Sequence, residues 1–187
     1  MNGLLRRFRM RRQCLLAQGA VLHDTARVFN MAGKRSAVDI GGYTHVRGEL
    51  LTFAHGGEIR IGAYCYIGEG TRIWSARSIR LGDRVLIAHN VTIMDSLTHP
   101  IGAAARHRHF RQIITTGHPD DLDLGERAVE VGDDAWIGCA SVILRGVSLG
   151  KGAIVGAGSV VTESVPAWTI VGGNPARVIR ELGPDER

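Results

Sequence analysis

The chain has 187 residues, of which 44% are hydrophobic but only 5% aromatic, with 25 glycines and a formal net charge of +5. This length suits one domain with short trimmings. No apolar run approaches the length of a bilayer crossing and no signal-peptide core follows the basic N-terminus, so a cytoplasmic protein is expected. Three cysteines without a close CxxC pair fit reduced thiols better than a disulfide framework. The positive charge gathers in the N-terminal arginines and between Arg106 and Arg111 with no RNA-binding aromatic pattern beside them, so a nucleic-acid partner is not expected.

Met1 to Gln18 places Leu4, Leu5, Phe8, Leu15 and Leu16 roughly on one helical face, among Arg6, Arg7, Arg9, Arg11 and Arg12. Such a segment can lie against an acidic lipid surface as a peripheral contact. The favoured reading is a helix that covers the open end of a repeat array. Residues 1–39 are therefore taken as a helical capping segment.

A six-residue period then begins. Ile40 and Val46 open a weak pair, and Ile61, Ile67 and Ile73 open IGAYCY, IGEGTR and IWSARS. After two extra residues, Ile79 and Arg80, the units LGDRVL, IAHNVT and IMDSLT follow from Leu81, Ile87 and Ile93. The period vanishes between Thr98 and Val131, then returns in VGDDAW, IGCASV, ILRGVS, LGKGAI, VGAGSV and VTESVP. Neither an amphipathic helix nor a hairpin repeats every six residues. A solenoid of short strands does, with the aliphatic first positions stacked inside and glycine at the second position supplying turn dihedrals. Insertions belong at the corners, so residues 98–130 are expected to form an external arm that binds something. Pro166 ends the last hexad, and Pro175 is expected to start a short helix over 176–182 in a C-terminal segment, 167–187.

These hexads resemble the hexapeptide-repeat acyltransferases. The likeness is strongest to the maltose and galactoside O-acetyltransferases and their capsule and lipopolysaccharide relatives. It is carried by IAHNVTIMDSLTHPI at 87–101, VGDDAWIG at 131–138 and VGGNPARVIREL at 171–182. The resemblance implies an all-β solenoid, a left-handed parallel β-helix with three hexads per coil, over 40–166. About 4.8 Å of height per coil then gives five or six coils. It also implies acetyl-CoA as cosubstrate, a sugar or surface-glycan acceptor and a homotrimer with active sites between subunits. No metal is expected.

Acetyl transfer to a hydroxyl requires a base, and neutral imidazole titrates near the working pH. His99 in Thr98-His99-Pro100 is that candidate, by chemistry and by resemblance. Asp95, four residues earlier, is a candidate to orient the imidazole or bind acceptor hydroxyls, against the plainer reading of a solvated corner carboxylate. Amides around Gly138 and Cys139 are candidate oxyanion donors. Cys139 has no adjoining base and reads as a small corner residue, so direct transfer is favoured over an acyl-enzyme. For the cofactor, the resemblance carries over to Gly156, Ala157, Thr162, Arg177 and Arg180, whose arginines suit phosphate oxygens, and Trp136 and Lys151 are further candidates. Glu163 stands where the family commonly has lysine.

The acceptor contacts usual in the sugar enzymes are missing at Gly70, Ser75 and Ala76, which argues against a simple galactoside or maltose. Trp74 is a candidate to stack on a sugar ring. In the arm, Arg106, His107, Arg108, His109 and Arg111 are candidates to reach a larger or anionic acceptor. Three alternatives stay open: N-acetylation of an amino sugar or antibiotic, a non-catalytic scaffold subunit, and a γ-class carbonic anhydrase, whose usual His-x4-His pair is absent.

Overall fold

The computed structural model describes residues 10–119 and 122–187. Six coils of three short strands each build a prism. The first coil holds β1 (Leu15–Leu16), β2 (Val21–Leu22) and β3 (Arg27–Asn30). The second holds β4 (Val38–Ile40), β5 (His45–Val46) and β6 (Glu49–Thr52), and the third β7 (Ile59–Ile61), β8 (Tyr66–Ile67) and β9 (Arg72–Ser75). The fourth holds β10 (Ile79–Leu81), β11 (Leu86–Ile87) and β12 (Thr92–Met94). Helix α1 (Ala103–Thr115) interrupts the array before β13 (Val129–Val131), β14 (Trp136–Ile137) and β15 (Val142–Ile143). The sixth coil is β16 (Ser148–Leu149), β17 (Ile154–Val155) and β18 (Val160–Val161), followed by β19 (Thr169–Gly173) and β20 (Ala176–Glu181).

Through the six coils each strand pairs in parallel with the strand three further along, giving three sheets that we call the first, second and third after the position of their strands in a coil, and β19 extends the second beside β17. Equivalent hexad positions stack directly, as in Ile67, Ile87, Ile137 and Val155 of the second sheet. Ile73, Ile93 and Ile143 stack likewise in the third. All seven lie in the buried core. A fully buried aliphatic side chain of this size contributes about 1.5–3 kcal/mol, so the column is the main source of cohesion.

The expected role of the second-position glycines is corrected. Gly62 does not have positive φ; a Cβ there would collide with the backbone of the next coil at Gly82. The left-handed conformation falls two residues after such glycines, at Tyr43, Tyr64, Arg84 and Asp134.

Two boundaries also differ from expectation. The solenoid starts at Leu15, not near residue 40, because β1 to β3 pair with β4 to β6 along all three sheets. Leu15 and Leu16 are therefore strand rather than helix, and the rest of the proposed N-terminal helix lies largely outside the described residues. At the other end, 176–182 is not a helix. β20 folds back antiparallel on β19 and covers the last edge of the second sheet, satisfying backbone groups that would otherwise be left open. Among the described residues no helix is long and apolar enough to cross a membrane.

The lengthened connections all fall on one edge of the prism, between the third and first sheets: residues 31–37, 53–58, 76–78 and 95–128. The last is the expected arm. It contains α1, and its return is stitched to the coils by Leu97 N–H to Leu124 O (3.0 Å), Arg127 N–H to Asp95 O (2.8 Å) and Arg145 Nη1 to Gly125 O (2.8 Å).

Candidate functional site

His99 stands exposed where the arm leaves this edge. Its Nδ1 lies 3.1 Å from Nδ1 of His109, and the two rings meet edge to face, with centroids 5.1 Å apart and an interplanar angle of 65°. α1 carries His109 inward, leaving it 6% exposed, while Arg106, His107, Arg108 and Arg111 of the same helix are exposed. Of the arm residues proposed to meet an acceptor, His109 is thus the one turned to the protein interior. Burial first, then the charges of His99, His118 and His55, push the His109 imidazole below the ordinary histidine pKa.

Neither His55 nor His118 was read from the sequence as part of an acetyl-transfer site. His55 sits in the 53–58 connection of the same edge, its Nε2 3.5 Å from a Glu126 carboxylate oxygen and, among the described residues, without a hydrogen-bond partner. Phe53 packs between them, with ring centroids 5.7 Å from His55 and 6.3 Å from His118. The available signal was positional: both lie in segments that break the six-residue period on one edge. Among the described residues no group of three or more His, Cys, Asp or Glu is arranged to hold a metal ion.

Asp95 does not contact His99. It is fully buried, and its carboxylate caps the lengthened corner of the preceding coil. Oδ1 accepts the Ala76 N–H (2.7 Å), while Oδ2 accepts the Ser75 hydroxyl (2.7 Å) and the Arg77 (2.9 Å) and Ser78 (2.8 Å) N–H groups. Both the orienting role and the solvated-corner reading are corrected: the oxygens are already filled by backbone donors that belong to a different hexad.

At the corner between the second and third sheets, the Gly138 N–H donates to Val155 O at 2.8 Å and is committed to the coil. A Cβ at Gly138 would lie 2.6 Å from Ala157 N, so glycine here is required by the close approach of the next coil. Cys139 is half-buried beside it, with its carbonyl accepting from Gly158 N–H (2.8 Å). Among the described residues the Cys139 N–H has no backbone acceptor, which makes it the oxyanion candidate of the pair.

The cofactor candidates spread around the prism. Gly156 and Ala157 lie one coil beyond Gly138 on the same corner, and Thr162 follows β18 on the edge that carries His99. Trp136, 52% exposed on the outer face of β14, and Lys151 line a cavity of about 630 Å3 with Asp134, Trp168, Glu186 and Arg187. Lys151 Nζ is 3.7 Å from Asp134 and 5.9 Å from the Trp168 ring centroid. Arg84 donates to Asp134 at 2.6 Å, and this bond leads the causes that hold the carboxyl below its usual range. Arg180 makes a two-point pair with Glu186, both contacts at 2.6 Å, which lowers the Glu186 carboxyl to about 2. Arg177 is exposed and donates to Ala176 O. Trp74, on the third sheet, is half-buried with Nε1 donating to Glu49 at 2.8 Å. One chain therefore brings His99 and His109 together and displays Trp136, Lys151 and the Gly138–Cys139 corner on other edges.

Comparison with known proteins agrees with the repeat. The bacterial transferase hexapeptide family (six repeats) matches residues 128–163, and the hexapeptide repeat of succinyl-transferase matches 58–94. Galactoside O-acetyltransferase of Escherichia coli (strain K12) is 33% identical over 141 residues, covering 72% of this chain and 60% of the relative. The probable acetyltransferase Rv3034c of Mycobacterium tuberculosis (strain ATCC 25618 / H37Rv) is 26% identical over 182 residues, covering 94% of this chain and 55% of its own length. The chain thus spans little more than half the length of these relatives. Among solved structures, AntD, an N-acyltransferase from Bacillus cereus in complex with dTDP and 3-hydroxybutyryl-CoA, superposes with a TM-score of 0.69. Identity is 20%, with 91% of this chain and 84% of that chain covered, a likeness of fold alone.

Proposed function

We propose, for a chain that belongs to the hexapeptide-repeat acyltransferases, that it moves an acetyl group from acetyl-CoA to a hydroxyl of a sugar or surface-glycan precursor. The observation that carries this reading is His99, exposed at the root of the arm with one ring nitrogen tied to a buried imidazole and the other left for chemistry. In the reaction, His99 Nε2 takes the acceptor hydroxyl proton as the oxygen attacks the thioester carbonyl. The Cys139 N–H donates to the oxyanion, and the tetrahedral intermediate collapses with release of the CoA thiolate, which takes the proton back from the imidazolium. Transfer is direct rather than through an acyl-enzyme, since no base adjoins Cys139 in the sequence.

Acetyl-CoA is read as lying against Trp136, Gly156, Ala157 and Thr162, with Lys151, Arg177 and Arg180 facing its phosphates. Arg180 must exchange Glu186 for phosphate, and Glu163 offers no help there. The coil is taken as left-handed and the assembly as a homotrimer. The support for the trimer is the distribution of the candidates: residues on different edges of one prism converge only in a groove between two. The exposed face of α1, with Arg106, His107, Arg108 and Arg111, then faces the acceptor, and its charge favours an anionic glycan or nucleotide sugar.

The test is thiol release from acetyl-CoA against nucleotide sugars, free sugars, oligosaccharides and amino sugars. Release with a hydroxyl acceptor supports the assignment. Release with amino acceptors alone moves it to N-acetylation, and absence of acetyl-CoA binding contradicts it.

A further inference from the structure

Among the described residues no carboxylate is paired with His99, and Asp95 is committed to four donors in the preceding coil. In its place is the Nδ1 of His109, at 3.1 Å. Two facing ring nitrogens can form this bond only if one carries a proton and the other does not, because two bare lone pairs repel and two N–H groups cannot pair. A base at His99 Nε2 needs its proton on Nδ1. The productive arrangement is therefore His99 Nδ1–H donating to the His109 Nδ1 lone pair, with the remaining proton of His109 on its own Nε2.

Resting on the reading of His99 as the base, we propose that His109 is its positioning residue: the neutral His109 imidazole accepts the Nδ1–H of His99, fixes the tautomer and ring plane, and receives the stronger, charge-assisted bond when His99 becomes imidazolium. The groups that face His109 are arranged to keep it neutral. Burial and the imidazoles of His99, His118 and His55 all disfavour a positive charge on it. The Glu126 carboxylate is turned to His55 at 3.5 Å. A neutral acceptor differs from a carboxylate in its consequence. It orients the base without placing a negative charge beside it.

The test uses the full chain labelled with 15N-histidine at about pH 8, well above the ordinary histidine range. His99 should carry its proton on Nδ1. In His109→Phe, which keeps a ring and removes the acceptor, the proton should move to Nε2, and carbethoxylation of His99 by diethyl pyrocarbonate should slow severalfold. His109→Asn, whose Oδ1 can occupy the place of Nδ1, should restore both readouts, which a purely packing role would not predict. If His109→Phe does not fold, the wild-type spectrum and the Asn variant still decide. His99 protonated on Nε2 in the wild type, or a tautomer unchanged in His109→Phe, overturns the proposal. Neither readout depends on an acceptor: wild-type acetyl transfer by His99→Ala would overturn the base assignment while leaving the tautomer result to stand or fall alone.

Discussion

Replacement of Asp95 by alanine separates a structural from a catalytic role. Its carboxylate accepts three backbone N–H groups and one hydroxyl in a site closed to solvent. With each orphaned donor costing about 1–3 kcal/mol and water entering part of the vacated space, the loss is about 3–6 kcal/mol. That is a large share of a domain stability of about 5–15 kcal/mol. Asp95→Asn keeps the volume. With its oxygen at the Oδ2 position the three bonds there survive, and its NH2 opposes the Ala76 N–H, so the cost falls to about 1.5–3 kcal/mol. Urea unfolding followed by tryptophan fluorescence should show this order, wild type above Asn above Ala. Folded Asp95→Asn should retain acetyl transfer within a few-fold. An unchanged unfolding midpoint in Asp95→Ala together with loss of transfer would refute the reasoning and return Asp95 to the catalytic centre.

Gly138→Ala places a methyl group 2.6 Å from Ala157 N and 2.8 Å from Val155 O, so the variant should lose about 2–3 kcal/mol by overpacking, read as a lower unfolding midpoint. Glu186→Gln releases Arg180 from its carboxylate partner, so acetyl-CoA should bind a few-fold more tightly by calorimetry at low salt, with Arg180→Ala weaker than wild type. His109 has a folded pKa below its unfolded value of about 6.5, so the unfolded chain binds the proton more readily. Stability should therefore fall as pH drops through about 6.5 and level off below the folded pKa. His109→Phe should flatten that part of the melting-temperature profile.

The array was legible because its period is carried by residues that point inward: Ile67, Ile73, Ile87, Ile93, Ile137 and Ile143 are all fully buried. The first coil obeys the same spacing, with Leu16, Leu22 and Val28 six apart, but it lacks second-position glycines. Its adjacent Leu15 and Leu16 also fit a helical face. The C-terminal strand was hidden by Pro175, which suits a helix start, although the β-branched pair Val178 and Ile179 pointed the other way. At the site, His99 was visible through its motif, whereas its partner was not. A four-residue spacing suggested Asp95, yet the coil sends that carboxylate to Ser75–Ser78, and His109 arrives from the far side of a helix. Contacts between successive coils join residues about twenty apart, a distance over which local spacing carries no information about which side chains meet.

The central claim is that His99 removes the acceptor proton. It is tested most directly by comparing thiol release from acetyl-CoA in wild type and His99→Ala, with the acceptor that supports release and with acetyl-CoA affinity measured in parallel. The account predicts a fall of about 10²- to 10⁴-fold in kcat with the affinity unchanged. Wild-type turnover in His99→Ala would contradict it.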